Sequence, residues 1–82
     1  MVTKNIGIYC PACDEYRHVM YNKLHLGGCG MEEIPDEIRE ARDLEYLDLH
    51  GNRISKIENL NGLKNLKELD LCGNQVTKIE NL

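Results

Sequence analysis

A 17-residue segment occurs twice in this 82-residue chain, and its recurrence constrains the fold more than any other feature. The sequence LEYLDLHGNRISKIENL at residues 44–60 returns as LKELDLCGNQVTKIENL at residues 66–82, and 11 of the 17 positions are identical. A period of about 20 to 50 residues is typical of stacked units, each of which buries its apolar face against its neighbours. The sequence therefore predicts a stacked-repeat architecture, whose usual function is binding rather than catalysis.

Alternating leucines within each copy predict a strand. Leu47 and Leu49 flank Asp48, so the leucines should point to one side of the strand and the aspartate to the other. The residues predicted to face inward are Leu44, Leu47, Leu49, Ile54, Ile57, Leu60, Leu63, Leu66, Leu69, Leu71, Val76, Ile79 and Leu82.

A first, less regular repeat precedes these two, and its period is one residue longer. The positions that match the inward residues of the second repeat are Leu24, Leu26, Cys29, Met31 and Ile34, with Tyr21 at the first leucine position. The apolar residues that follow, at positions 34, 38, 41 and 44, have a short helical spacing.

The periodicity divides the chain into an N-terminal hairpin cap, residues 1–20, and a repeat domain, residues 21–82. The predicted repeats are 21–43, 44–65 and a truncated 66–82. Because the third repeat stops at its seventeenth residue, we expect one of two arrangements. The chain is a fragment of a longer repeat protein with no independent role, or it forms a homodimer that buries the uncapped C-terminal repeat.

Asn52 and Asn74 follow the two predicted strands at equivalent positions. A sharp turn after a strand leaves backbone N–H and C=O groups buried, and an inward asparagine amide both donates and accepts hydrogen bonds. Cys29 occupies the same position in the first repeat. We therefore assign Cys29, Asn52 and Asn74 to a structural ladder.

The pattern L-x-x-L-x-L-x-x-N at residues 44–52 and 66–74 resembles that of leucine-rich repeat proteins. The 22-residue length resembles the subfamily typified by the regulatory subunit of protein phosphatase 1, and the first repeat is closer to the 23-residue typical class. The resemblance implies an α/β solenoid with a short parallel sheet on a concave face and turns or 3₁₀ segments on a convex face. It also implies a protein partner on the concave side.

Outward strand positions should form rows of side chains across the concave face. The predicted partner-binding residues are Lys23, His25, Tyr46, Asp48, His50, Glu68, Asp70 and Cys72. Asp48 beside Asp70 is unfavourable unless a cation is near, which His25 and His50 could supply. Three interpretations follow: an acidic patch for a basic partner segment, a surface metal site from His50, Asp70 and Cys72, or a solvated face without a ligand.

The N-terminal segment contains C-P-A-C at residues 10–13 between two strand-like stretches. This turn aims two thiolates at one point, as in the first half of many zinc ribbons. The candidate zinc ligands are Cys10 and Cys13 with Cys29, His25 or His18, although Cys29 and His25 should point to opposite sides of the first repeat. Two alternatives stay open. One is a capping hairpin with reduced thiols or a CxxC disulfide, and the other is a reduced version of the cysteine-rich cap of extracellular repeat proteins.

Composition narrows the function further. The net charge of −4, with 10 basic and 14 acidic residues, disfavours nucleic-acid binding through phosphate contacts. The chain has no apolar run long enough to predict a membrane span or a signal, and its four cysteines then favour the cytoplasm. No catalytic set is recognisable, so we predict a non-enzymatic protein with no cofactor other than the alternative of zinc.

Overall fold

The structure is a computed structural model, which describes residues 6–79 as a succession of short strands with one 3₁₀ helix. The elements in chain order are β1 (Gly7–Cys10), β2 (Glu15–His18), β3 (Lys23–His25), the 3₁₀ helix (Asp36–Glu40), β4 (Tyr46–Asp48), β5 (Lys56–Ile57), β6 (Glu68–Asp70) and β7 (Lys78–Ile79). Within residues 6–79 the 3₁₀ helix is the only helical element, so the α part of the expected α/β class is not seen there. No helix in this range is long and apolar enough to cross a membrane.

Strands β1 and β2 form an antiparallel hairpin, with Gly7 opposite His18 and Cys10 opposite Glu15. The turn between them is closed by the amide of Asp14, which donates to the Cys10 carbonyl at 2.8 Å. Ile8 and Cys10 are buried in the same apolar core as the repeats. The hairpin therefore packs on the beginning of the repeat core.

Strands β3, β4 and β6 form a three-stranded parallel sheet in that order. Leu24 pairs with Leu47, and Leu47 pairs with Leu69, so equivalent positions of successive repeats are neighbours in the sheet. The pairing offsets therefore equal the repeat lengths in the sequence. These leucines point into the core, and the positions on either side of them point outward.

The core is aliphatic and is most complete in the first two repeats. Every inward position predicted for residues 44–65 is buried, as are Leu24, Leu26, Cys29, Met31 and Ile34. The third repeat differs, because only one neighbouring repeat packs on it within residues 6–79. Its core positions are only half-buried, at Leu66, Leu69, Leu71 and Val76. Leu82 and the side chain of Ile79 lie outside what the structure describes. The same holds for the end of the third repeat, through which the homodimer is predicted to form.

Tyr21 does not occupy the first leucine position, and this prediction was wrong. Its side chain is 90% exposed, and both Tyr21 and Asn22 have left-handed backbone, with φ of 53° and 62°. Two successive left-handed residues make a tight hairpin-type turn, here closed by paired hydrogen bonds between Met20 and Lys23. The turn rotates Tyr21 into solvent, and Val19 packs against the core instead.

The second half of the first repeat differs in structure from that of the second and third repeats. In the first repeat, Pro35 with φ of −63° precedes the 3₁₀ helix. In the second and third repeats the chain is extended, and β5 pairs with β7 in parallel, with Lys56 opposite Lys78. The sequences ISKI and VTKI are rich in β-branched residues, which favour the extended backbone over the predicted turns.

Candidate functional site

The asparagine ladder fixes the turns that follow the strands. Asn52 is only 5% exposed, and its Oδ1 accepts hydrogen bonds from the amides of Cys29 and Met31 at 3.1 and 3.0 Å. Its Nδ2 donates to the carbonyls of Leu26 and Leu49, both at 2.9 Å. One amide thus satisfies four backbone groups of two successive repeats.

Asn74 repeats this arrangement at a less buried position. Its Nδ2 donates to the carbonyls of Leu49 and Leu71 at 2.7 and 3.1 Å, and its Oδ1 accepts from the amide of Ile54 at 2.9 Å. Cys29 is buried at the equivalent position but is disulfide-bonded to Cys10. It therefore does not act as a hydrogen-bonding rung, and Asn52 satisfies the turn of the first repeat.

The outward side of the β3–β4–β6 sheet carries the predicted partner-binding residues. We call this surface the polar sheet face, and its members are Lys23, His25, Tyr46, Asp48, His50, Glu68, Asp70 and Cys72. Most are exposed, and Tyr46 and Asp70 are half-buried. Asp48 is the exception to the expected exposure, with 8% of its surface accessible, because two imidazole rings lie against it.

Asp48 is the centre of a histidine–carboxylate cluster. Its Oδ1 accepts a hydrogen bond from the backbone amide of His50 at 3.0 Å and pairs with His50 Nδ1 at 2.6 Å. Its Oδ2 lies 3.6 Å from Nδ1 of His25 on the neighbouring strand. Burial by itself raises the pKa of Asp48, but the hydrogen bonds from His50 and His25 and the charge of His50 outweigh it, and the pKa is lowered. The same hydrogen bond and charge raise the pKa of His50, against a smaller effect of burial.

Asp70 lies beside Asp48 in the sheet register and interacts with Cys72. Its Oδ1 accepts from the Cys72 amide at 3.0 Å. A hydrogen bond to the same carboxylate also raises the pKa of the Cys72 thiol, which disfavours the thiolate needed for metal binding or nucleophilic chemistry. The ligand atoms of Asp48, His50 and Asp70 lie within 4.8 Å of one another, so Asp48 takes the place predicted for Cys72.

Tyr46 provides the aromatic surface of the polar sheet face. Its ring centroid is 5.4 Å from that of His25, with the planes tilted by 56°. Partial burial, and then the charges of Asp48, Asp70 and Glu68, raise the pKa of its hydroxyl. A shallow depression of about 310 Å³ lies beside it, lined by Tyr46, Glu68, Leu69, Asp70, Leu71 and Cys72.

Gly27 positions the His50 ring, and it was not among the predicted site residues. A Cβ on Gly27 would lie 2.8 Å from Nε2 of His50 and closer still to other atoms of the ring. The imidazole therefore lies directly over the glycine. The signal in the sequence is positional, because Gly27 stands in the same cross-strand row as His50 and Cys72.

The predicted zinc ligands of the N-terminal segment do not come together within residues 6–79. Cys10 and Cys29 form a disulfide, with Cα atoms 5.1 Å apart, because both side chains face the core where the hairpin meets the first repeat. Cys13 is exposed, and its Sγ accepts a hydrogen bond from Arg17 at 3.0 Å.

The histidines are also separated from the CxxC turn. His18 is opposite Gly7, at the end of the hairpin away from the turn, and His25 belongs to the Asp48 cluster. The predicted CxxC disulfide is likewise not formed, because Cys10 bonds to Cys29 rather than to Cys13.

Of the comparisons with known proteins, only that with family models gives a match. No curated protein and no solved structure shows significant similarity to the chain. The family model described as leucine rich repeats, in two copies, matches residues 42–82, which is half of the chain. The pairing of β4 with β6, as well as Asn52 and Asn74, lies within this match, and the chain belongs to the leucine-rich repeat family.

Proposed function

We propose that the chain is a non-enzymatic protein-interaction module whose polar sheet face binds a basic segment of a protein partner. Leucine-rich repeats generally mediate protein–protein interaction, and their sheet forms the binding surface. We further propose that the repeats are of the 22-residue subfamily, that the polar sheet face is the concave side of a solenoid, and that the hairpin is its cap.

The single observation that carries this proposal is the charge of the polar sheet face. Asp48, Glu68 and Asp70 bring three carboxylates to β4 and β6, whereas Lys23 on β3 is the only lysine or arginine among the eight residues of this face. A surface with one predominant sign of charge steers a partner of the opposite sign and sets its register. The face is therefore suited to a lysine- or arginine-rich segment and not to nucleic acid.

The arrangement of Tyr46 supports binding over a merely solvated surface. Its ring packs against that of His25, and tyrosine is among the residues that most often dominate interface energetics. The backbone beneath it is fixed by the strand pairs on both sides. A partner would therefore meet a preorganised surface with a small ordering cost.

A displayed peptide library of random composition tests the proposal. We expect the peptides selected on the wild-type chain to be enriched in Lys and Arg. A Tyr46→Ala, Glu68→Ala double variant should weaken their binding by about 30-fold or more, the equivalent of one strong hot spot. Both positions are preferable to Asp48, whose buried carboxylate also holds two histidines.

Glu37→Ala is the matched control, since it removes an exposed carboxylate from the 3₁₀ helix and leaves the polar sheet face intact. Its binding should equal that of the wild type, and circular dichroism checks that each variant is folded. Selected peptides without basic enrichment, or binding unchanged in the double variant, would place the interface elsewhere.

We also propose a cytoplasmic location, because Cys13 and Cys72 are exposed free thiols, which suit a reducing compartment. In that compartment Cys10 and Cys29 would be a buried dithiol at the hairpin contact. Alkylation of intact cells followed by mass measurement tests this proposal. Four modified cysteines are expected, and a Cys10–Cys29 bond at full occupancy would indicate an oxidising compartment instead.

A further inference from the structure

We propose that Asp48, His50 and Asp70 form a binding site for a zinc-type divalent cation on the polar sheet face, with His25 as a further ligand. The site shares the carboxylates of Asp48 and Asp70 with the acidic surface of the proposed function, but it is tested separately. It uses different residues from the Tyr46 and Glu68 pair that tests partner binding.

The ligand atoms of Asp48, His50 and Asp70 converge on one place. Parallel pairing places Asp48 and Asp70 side by side, and His50 reaches back over Asp48, so three ligand atoms lie within 4.8 Å of one another. In a tetrahedral zinc site with bonds of about 2.0–2.2 Å, neighbouring ligand atoms are about 3.4 Å apart. The widest pair must therefore close by only about 1.4 Å, a movement available to side chains such as the exposed His50.

Backbone amides orient the two carboxylates. Asp48 Oδ1 accepts from the backbone amide of His50, and Asp70 Oδ1 accepts from that of Cys72, each at 3.0 Å. The two aspartates thus have the same backbone support two residues further on, and the second oxygen of Asp48 faces His25, the proposed further ligand, at 3.6 Å. Metal-binding carboxylates are commonly held by such outer hydrogen bonds.

The charge of the three side chains favours a bound cation. Two neighbouring carboxylates, one of them nearly buried, repel each other unless a cation lies between them. With His50 neutral, the three side chains carry a charge of −2, which a divalent ion neutralises. Imidazole and carboxylate together suit zinc and its neighbours in the first transition row better than they suit calcium or copper(I).

Gly27 leaves the space that the His50 ring occupies. Because the His50 ring lies where a Cβ at position 27 would be, only glycine allows the ring to stay beside both aspartates. Gly27→Ala should therefore displace the imidazole without removing a ligand. This gives a test of ring position that is separate from ligand deletion.

The experiment titrates the full chain with Zn²⁺ by calorimetry and with Co²⁺ by visible absorption, which reports ligand geometry and any thiolate ligand. We expect one ion per chain, and a Co²⁺ spectrum without thiolate charge transfer. His50→Ala and Asp70→Asn should each weaken binding by at least about tenfold, and Gly27→Ala should weaken it as well. The matched control is His18→Ala, which removes an exposed histidine of the hairpin and should change nothing.

Several results would overturn the proposal: no binding to the wild type at micromolar Zn²⁺, or binding that survives both His50→Ala and Asp70→Asn. Binding lost in Cys13→Ser but kept in His50→Ala would place the ion at the hairpin. Peptide binding is measured with a chelator present, so a failed metal site and a failed partner surface give different results.

Discussion

Replacing Asn52 by alanine should be among the most damaging substitutions that leave the apolar core intact. The amide makes four hydrogen bonds to backbone groups at 2.9–3.1 Å, and the residue is buried. Alanine leaves two amides and one carbonyl of the first repeat without a partner, whereas the Leu49 carbonyl keeps its hydrogen bond from Asn74. None of them can turn to solvent, because the turn is enclosed between two repeats.

The magnitude follows from the number of orphaned groups. Each buried polar group that loses its partner costs about 1–3 kcal/mol, and water entering the vacated space recovers part of this. With three groups at the low end of that range, Asn52→Ala should lower the free energy of unfolding by about 3 kcal/mol. An 82-residue domain has a total stability of about 4–12 kcal/mol, so the variant should lose between about a quarter and three quarters of it.

Asn74→Ala is the internal comparison. Asn74 makes three such bonds of 3.1 Å or less, but it is only half-buried, so solvent can replace them. Its loss should cost about 1–2 kcal/mol, which is the range for bonds that water partly compensates. Asn52→Asp adds a further comparison, because it keeps the acceptor but turns a negative oxygen toward the carbonyls of Leu26 and Leu49. At neutral pH it should be at least as damaging as alanine.

Urea unfolding followed by far-ultraviolet circular dichroism measures all three variants, and an unchanged slope with denaturant shows that the same surface unfolds. If Asn52→Ala cost less than about 1 kcal/mol, or the same as Asn74→Ala, the buried turn would not depend on the amide and the reasoning would fail.

Three further predictions concern the disulfide, the core and the hairpin. Opening the Cys10–Cys29 disulfide, whose sequence separation is 19, should lower the unfolding free energy by about 3 kcal/mol, measured by urea titration with and without reductant. An unchanged midpoint would show that the bond constrains nothing. Leu47→Ala, at a fully buried position, should cost about 2–5 kcal/mol in the same assay, and a cost below about 1 kcal/mol would contradict the close packing of the sheet. The Tyr9 hydroxyl donates to Asp14, and this bond, with burial and a neighbouring tyrosine, raises the Tyr9 pKa above its ordinary value of 10.0. Its stabilisation is complete below pH 10 and is lost as pH rises through the folded-state pKa, so Asp14→Asn should lower that pKa in an NMR titration, and no change would refute the cause.

The repeat unit could be predicted because it is written directly in the sequence. The spacing between the two copies gave the register of β4 with β6, and the leucine alternation gave the buried positions of the second repeat. Each of these depends on local pattern and on self-similarity. The same rule predicted which residues share the polar sheet face.

The features that were not predicted depend on contacts between unlike parts of the chain. The Cys10–Cys29 pairing depends on where the hairpin docks, which no period specifies. The burial of Asp48 depends on the positions of the His25 and His50 rings, and therefore on rotamers and on the space left by Gly27. These features lie at the hairpin, or at side chains that differ from one repeat to the next.

Each ladder asparagine forms hydrogen bonds to the repeat that precedes it, and this affects how such a chain can change length. Asn52 completes the turn of the repeat before it, and Asn74 does the same for the repeat that contains Asn52. Duplication of one complete repeat therefore copies an amide together with the turn that the next amide will close. Such a tandem duplication carries an asparagine and its turn together to the new junction, and the ladder already joins repeats that differ by one residue in length.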